Sequence, residues 1–569
     1  VVHTISEEQV HLKLYRDRMA DYGVSLGAVP VSRFFWDTLA DMNGPLEYLS
    51  GMSLTFEQAN LDFSRHYMNR FSQLGDVETA DLLRQVYEDE IGHVKLGAVW
   101  FEKLRAPADK RAFWDRYQSA LRPPLTPARA QGLGFDREAR LAAGLSPEFI
   151  ESLQGFSHSK GRTPAVYLFN PTAEVHLAHG HVVALPRAVA GLGRDLETLP
   201  MFLAGADDAV LVNQSPRPAF LSTLRDAGMS IPEFVTHEGV SAPNRQFAAL
   251  VPWAWSPDSL AAFAPRLTLQ PKLSPPAIPR TVFEKSWAVE QARTWAAEHV
   301  GEWLAPPSVV GDVYETLESA MNAVDRLRVG GAAVVIKALL GSAGRGMRRV
   351  LSDEDVQRVR PWVQRMQKAQ GAVVVEPWLA GVVDLSVQLV IAAEGRVRIA
   401  GITRFETDSR GQYQGTRIGR PLHGLDAPLR RFLIGPGSGW RAFTHLEEVG
   451  RFVGRALAQM GYCGPAGVDA LVYLDADGAY RLKPIVEVNP RFTMGHLALR
   501  VGKRLGNRRT GRFRILTAAM AKKAGAPSLA AHVAAMGDAV LCLTDPLEAS
   551  HAVAVLEGGR SAARTQGAE

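Results

Sequence analysis

The sequence predicts a multidomain chain, all-α at its N-terminus and α/β to α+β beyond it. Three observations predict this. Capped runs of helical period fill roughly the first 105 residues. Short apolar runs alternating with helical stretches begin at Ala165. Late in the chain one such run ends in Glu487-Val488-Asn489-Pro490-Arg491, downstream of Val334-Val335-Ile336-Lys337 and a glycine-rich segment, Gly341 to Met347. These are parts suited to holding a nucleoside triphosphate, whereas Glu90-Ile91-Gly92-His93 belongs to different chemistry. The expected divisions are a helical domain over 1–160, a small α/β domain over 161–280, a larger α+β domain over 281–560, and a tail, 561–569.

Bulk properties narrow the class. At 569 residues with 46% hydrophobic content the chain can bury several cores. It carries no apolar stretch of membrane-span length and no secretory pattern, so no membrane role is expected and a cytoplasmic protein is the plain reading. Cys463 and Cys542 are the only cysteines, which excludes a disulfide framework and a cysteine zinc site. The chain opens on Val1-Val2 rather than methionine, which fits a fragment or trimmed product. The net charge of +5 is uneven: no acid lies between Glu487 and Asp538, where Arg500, Lys503, Arg504, Arg508, Arg509, Arg512, Arg514, Lys522 and Lys523 crowd together. A solvated surface is the first reading of such a run, with an anionic substrate or RNA as the sharper one. Phe513 is the only aromatic among these residues, which weakens the RNA case.

The helices follow from their punctuation. Pro45 suits a first turn, Gly75 a C-terminal stop and Asp76 an N-cap, giving long helices over Leu46–Leu74 and Val77–Leu104. An earlier helix runs from about Ser6 to Ala20. Glu8 and His11 share one face of that helix, and Glu90 and His93 one face of the last; the middle helix contributes Glu57, with Asn60 and Ser64 on its side. Buried carboxylates need cations or protons, and two Glu-x-x-His motifs with glutamates from other helices form the ligand set of a dimetal carboxylate bundle. Tyr87-Glu88-Asp89-Glu90-Ile91-Gly92-His93-Val94, with Gly97, Trp100, Phe101 and Phe135-Asp136-Arg137-Glu138-Ala139-Arg140, resembles a ferritin-like family of uncharacterised proteins allied to rubrerythrin-like and tRNA-hydroxylating di-iron proteins. The resemblance implies two iron ions held by Glu8, His11, Glu57, Glu90 and His93. It also implies that the bundle's first helix, with a sixth ligand, is not in this chain.

Residues 106 to 165 are rich in Pro, Arg, Ala and Gly and carry the breakers Arg122-Pro123-Pro124 and 157–161. Strands are then expected at Ala165–Leu168 and Ala209–Val212, with a helical stretch at Pro218–Gly228. Asn170-Pro171 and Asn213-Gln214-Ser215-Pro216 sit just past strand ends, where open sheets bind ligands and where plain turns also occur. The loop after Lys337 can wrap phosphates, but it lacks the Gly-Lys-Ser/Thr of a P-loop and the spacing of a dinucleotide fingerprint. Val373-Val374-Val375-Glu376 is a strand ending in an acid, and Asp384 lies on an alternating stretch. Asp469, Glu487 and Asn489 are hard oxygen donors that suit Mg²⁺ (or Mn²⁺), and Arg491 can meet a charged oxygen bidentately.

In this order, Lys285, Lys337, the glycine-rich loop, Glu376, Asp469 and Glu487-x-Asn489-Pro490-Arg491 resemble the ATP-grasp superfamily over about residues 165 to 560. The resemblance implies a small pre-ATP-grasp domain followed by two subdomains clamping ATP. Lys285 and Lys337 would contact phosphates, with Gly341, Ser342, Gly344 and Gly346 in the covering loop. Glu376 would meet the adenine, Asp384 a ribose or cation, and Asp469, Glu487 and Asn489 the magnesium ions. The implied reaction is ligation of a small-molecule carboxylate to an amine through an acyl phosphate, releasing ADP, with Arg491 and Lys337 as catalytic residues. Two further readings stay open: a di-iron oxygenase or oxidase with a degenerate ATP-grasp half, and an RNA-modifying protein.

Overall fold

The computed structural model describes residues 2–28, 34–40, 42–122, 125–154, 163–241, 245–276, 279–341, 346–437, 439–504 and 510–558. The chain divides into two compact units that do not follow chain order. One comprises Val1–Tyr167, Ala204–Val251 and Pro265–Leu273; the other comprises Leu168–Leu203, Pro252–Ala264 and Ser274–Glu569.

The first unit begins with helices: α1 (Val2–Asp21), α2 (Phe34–Ala40), α3 (Pro45–Gly51), α4 (Gln58–Gln73) and α5 (Val77–Lys103). The expected punctuation operates. Pro45 opens α3, the Asp76 side chain accepts from Thr79 N at 3.1 Å to cap α5, and Gly75 turns the chain with φ +82°. The expected single helix from Leu46 to Leu74 is interrupted, however, by a π-helical stretch over Met52–Glu57. The Thr55 hydroxyl donates to the Ser50 carbonyl five residues back, at 2.6 Å, matching the wider π spacing. That stretch ends at Glu57, which is buried.

Leu54, Leu61, Val94, Phe101, Tyr117, Phe149 and Ile150 form the apolar core of this helical region. Within it Arg140 and Asp62, both fully buried, make a two-pronged ion pair at 2.7 and 2.9 Å. The remaining capacity of Asp62 is met by the backbone N–H groups of Gly132 and Asp136, and Arg140 stacks 4.0 Å from the Phe135 ring centroid. A small sheet follows, in the order β3-β2-β1-β4, built from β1 (Ala165–Leu168), β2 (Ala209–Leu211), β3 (Glu233–Val235) and β4 (Ala249–Pro252), with β2 and β3 parallel. The strand expected over 209–212 is thus one residue shorter.

The second unit contains two further sheets. β5 (Asp312–Tyr314), β6 (Val334–Ala338), β7 (Met347–Val350) and β8 (Val373–Pro377) form an antiparallel sheet ordered β5-β8-β6-β7. The helices Leu317–Leu327 and Asp353–Gln370 close its core through Met321, Val324, Trp362 and Val363. The larger sheet takes β9 (Ala380–Ile391), β10 (Val397–Thr407), β11 (Tyr413–Ile418), β12 (Gly464–Leu474), β13 (Tyr480–Asn489), β14 (Gly511–Thr517), β15 (Val540–Cys542) and β16 (Ala552–Glu557). Its order is β13-β12-β9-β10-β11-β14-β16-β15. Helices Lys285–Glu298 and Arg441–Gln459 pack Trp287, Trp295, Leu446 and Val453 into the same core as Leu385, Val387, Val468 and Ile485 of this sheet. Among the described residues no helix is long and apolar enough to cross a membrane.

Removing one partner of a buried ion pair leaves the other charge stranded, at a cost of about 3–5 kcal/mol. Arg140→Ala is therefore expected to destabilise the first unit by that order in urea unfolding followed by near-UV circular dichroism. Arg140→Lys should recover only part of the loss, because an ammonium cannot reproduce the guanidinium fork.

Candidate functional site

In the second unit, adjacent strands bring the predicted residues together. Lys337 on β6 lies diagonal to Glu376 on β8, since Lys337 pairs with Val374 and Val335 with Glu376. Their side chains form an ion pair, and the other Glu376 oxygen accepts from Lys483 Nζ at 2.8 Å. Lys483, on β13, also donates to the Val309 carbonyl at 3.0 Å and is buried. Burial opposes the charge on Glu376, but Lys337 and Lys483 outweigh it and hold the carboxyl down at about 2. Both Glu376 oxygens are met by ammonium groups, so the carboxylate orients Lys337 and Lys483.

A second group lies on the larger sheet. Asp469 of β12 stands directly opposite Glu487 of β13, and Gly467 opposite Asn489. Like charges facing each other across a ladder are unfavourable without a cation or proton between them. Burial and the neighbouring Glu487 push Asp469 up to about 7. Asp469 accepts from Ser386 Oγ at 2.7 Å and from Asn489 Nδ2 at 3.1 Å, while Glu487 is met by Lys285 Nζ at 2.9 Å. Lys285 opens its helix and also donates to the Gly341 carbonyl at 2.9 Å. Gly341 and Gly346 face each other so closely that a Cβ on Gly341 would lie 3.1 Å from Gly346 Cα. Ser342 and Gly344 lie outside the described residues. Asp384 on β9 accepts from Thr407 Oγ1 at 2.9 Å, and burial raises its pKa.

Arg491 follows β13. Its Nη2 donates to Asn489 Oδ1 at 3.0 Å, and its Nε donates to Glu174, a buried residue that sequence reasoning missed. Beyond it Thr493 Oγ1 donates to Gln388 Oε1 at 2.6 Å. Burial takes His496 down to about 4, so it is neutral; its Nε2–H faces the Leu389 carbonyl at 3.2 Å and its Nδ1 accepts from Thr493 N. Lys483 was also missed. It stands four residues before Glu487, and only the fold brings it to Glu376.

In the first unit, four of the five predicted metal residues converge. Ligand atoms of Glu8, Glu57, Glu90 and His93 all lie within 4.8 Å of one another. Among the described residues, Glu57 Oε2, Glu90 Oε2 and His93 Nδ1 are buried without a hydrogen-bond partner, although His93 Nδ1 lies 3.5 Å from Glu90 Oε2 and 3.3 Å from Glu8. Such orphans are rare in folded proteins, and oxygen and imidazole donors converging on one point fit a divalent cation. His11 stands outside the group, with Nε2 2.9 Å from Asp89 and Nδ1 3.6 Å from Glu8. Asn60 donates to Glu90 at 2.6 Å, and Glu7 lies 3.1 Å from His93 Nε2. Burial, with Glu90 nearby, pushes Glu57 up to about 7. Burial alone would lower His93, but Glu8, Glu90 and Glu7 prevail and raise it to about 11.

Residues 1–151 match the family described as "Protein of unknown function (DUF455)". Over 296 residues the chain is 25% identical to the butirosin acyl-carrier protein–L-glutamate ligase of Niallia circulans, covering 52% of this chain and 63% of that protein. The chain thus spans less than two thirds of the length of that relative. Among solved structures, N5-carboxyaminoimidazole synthetase from Staphylococcus aureus, complexed with ADP, aligns at 10% identity with a TM-score of 0.38, over 69% of this chain and 92% of its own. Biotin carboxylase from Campylobacter jejuni aligns at 14% identity with a TM-score of 0.39, over 70% and 87%.

The depressed pKa of Glu376 sets a pH signature. A carboxyl held below its unfolded value contributes stability that is whole above about pH 4.5 and is lost as pH falls towards about 2. Glu376→Gln should be less stable than the parent at pH 7. The gap between the two should narrow in urea denaturation at pH 3, where the parent's unfolded state has taken up the proton.

Proposed function

We propose that the second unit is an ATP-grasp-type ligase that joins a carboxylate to an amine with release of ADP and phosphate. The observation that carries this reading is the gathering of Lys285, at the start of its helix, and Lys337, on β6, about the opposed pair Asp469 and Glu487 of β12 and β13. The resemblance in motif order and the likeness to a ligase that joins L-glutamate to an acyl-carrier protein support it.

In this reading the triphosphate draws Lys285 from Glu487 and Lys337 from Glu376, exchanging one anion for another at each ammonium. That exchange frees Glu487, which with Asp469 and Asn489 would hold Mg²⁺; the ion when bound would neutralise phosphate oxygens. The substrate carboxylate attacks the γ-phosphorus, the bond to ADP breaks, and an acyl phosphate forms. An uncharged amine attacks its carbonyl carbon, phosphate leaves with the bonding pair, and the amine's surplus proton passes to solvent. Arg491 offers its remaining N–H groups to the oxygen on which negative charge grows, an interaction that typically supplies about 3–4 kcal/mol.

The first unit supports a second activity. Glu8, Glu57, Glu90 and His93 would hold metal, with His11, Asp89 and Glu7 as further donors beside them. Iron bound there would supply redox chemistry on a ferritin-like bundle. The chain's own part is to keep unpartnered donors buried and His93 held between acids.

Incubation with Mg·ATP and pooled carboxylates and amines should yield ADP and phosphate, not AMP. Lys337→Ala and Glu487→Ala should each lower that turnover by at least about 100-fold; activity intact in either would remove the site. For the first unit, protein loaded with ferrous iron under argon should retain metal after desalting. Glu90→Ala should weaken retention by at least about tenfold, measured by elemental analysis.

A further inference from the structure

We infer that Glu174 and Arg491 together form a subsite for a zwitterionic amino acid, with the carboxylate on Arg491 and the ammonium on Glu174. The inference rests on the ligase reading and deepens it, by naming the class of acid that is activated.

Glu174 lies one residue inside the helix Ala173–His179, which follows β1. Asn170 fixes this connection. Its Nδ2 donates to the Ala254 carbonyl at 2.8 Å and to Ser256 Oγ at 3.0 Å, and its Oδ1 accepts from Ala254 N at 3.1 Å. From the other side, Phe492 N donates to the Trp253 carbonyl at 2.9 Å, tying the residue after Arg491 to the same segment. Glu174 is thereby held against Arg491 by backbone anchors on both flanks.

The donor and acceptor inventories of the two side chains are both incomplete, in complementary ways. Of the five N–H groups of Arg491, Nε meets Glu174, one on Nη2 meets Asn489 and one on Nη1 meets the Phe492 carbonyl at 3.2 Å. One N–H on each terminal nitrogen remains for an anion. Glu174 uses Oε1 for Arg491, whereas its Oε2 is buried and has no partner among the described residues. A buried carboxylate oxygen left without a donor is costly, so the position calls for a hydrogen-bond donor that the described residues do not supply. A carboxylate beside an ammonium, as in an amino acid, supplies both missing partners at once. An ammonium held on Glu174 stays protonated and cannot act as a nucleophile, so a bound amino acid is kept from condensing with a second activated molecule of its own kind.

The test uses the full chain saturated with Mg²⁺ and the non-hydrolysable analogue AMPPNP, and titrates each of the twenty common L-amino acids by calorimetry. At least one should bind, and its analogue lacking the amino group should bind at least tenfold more weakly. In Glu174→Gln the two should bind alike, while affinity for Mg·AMPPNP stays within twofold of the parent. Glu174→Asp, which keeps the charge, should retain part of the preference. Equal binding of amino acid and deaminated analogue by the parent chain overturns the proposal. So does nucleotide binding with no amino acid bound, a result that leaves the ligase reading standing. If Mg·AMPPNP itself does not bind, the ligase reading falls and the subsite with it.

Discussion

The cations gathered at the candidate site of the second unit are each held by a carboxylate, and the rest of the site depends on that pairing. Lys483 and Lys337 share Glu376, Lys285 meets Glu487, and Arg491 meets Glu174. A charge in a low-dielectric interior is stable only when paired and hydrogen-bonded. In the proposed reading, a cleft for a triphosphate would therefore carry its own anions until the ligand arrives. Binding is then an exchange of partners rather than an encounter with bare positive charge, and the ligand must offer more than the carboxylate it displaces. A triphosphate with its metal does so on both sides, since phosphate oxygens replace the carboxylates at the lysines while the cation takes up the carboxylates released.

The first unit solves the opposite problem. Around Glu57 and Glu90 acids outnumber bases, and the polypeptide answers by protonation, with Glu57 raised to about 7 and His93 to about 11. Even so, among the described residues three buried ligand atoms lack a hydrogen bond. The contrast is chemically informative. A site that balances its own charge suits an exchangeable substrate, whereas a site left short of positive charge suits a resident cation. The π-helical stretch that ends at Glu57 belongs to the same economy, because the extra residue per turn interrupts the regular i+4 ladder where the buried carboxylate is needed.

Much of this was legible in the sequence where the signal is local. Pro45, Gly75 and Asp76 marked helix ends because capping and positive φ are properties of a few adjacent residues. Glu487 and Asn489 alternate on one strand, so their common face followed from the period of two, whereas Arg491 lies just past the strand's end. Glu90 and His93 shared a face for the matching helical reason. Lys483 and Glu174 were not legible, because their partners lie 107 and 317 residues away and nothing in their own neighbourhoods announces the pairing. Asn170-Pro171 did mark the turn that carries Glu174, but turn chemistry says nothing of a carboxylate four residues on. The two lysines on Glu376 were hidden for the same reason, since a strand ending in an acid does not reveal which cations converge on it.

The basic run near the C-terminus shows how far charge along a chain differs from charge on a surface. Ten lysines and arginines follow Glu487 before the next acid, nine of them from Arg500 onward. In the fold β14 lies between β11 and β16, which brings Arg512 against Glu406 and Arg514 to 2.6 Å from Glu557, an acid 43 residues later. Sheet pairing thus supplies the counter-charges that the linear sequence withholds. Arg500 and Lys503, on the helix Met494–Arg504, remain exposed, while Arg508 and Arg509 lie outside the described residues. Affinity for a polyanion scales with the number of phosphates neutralised, hence with cations not already engaged. The run therefore counts for less in the folded protein than its length suggests. The anion chemistry of this chain concentrates instead where Lys285, Lys337 and Arg491 face carboxylates that a ligand can replace.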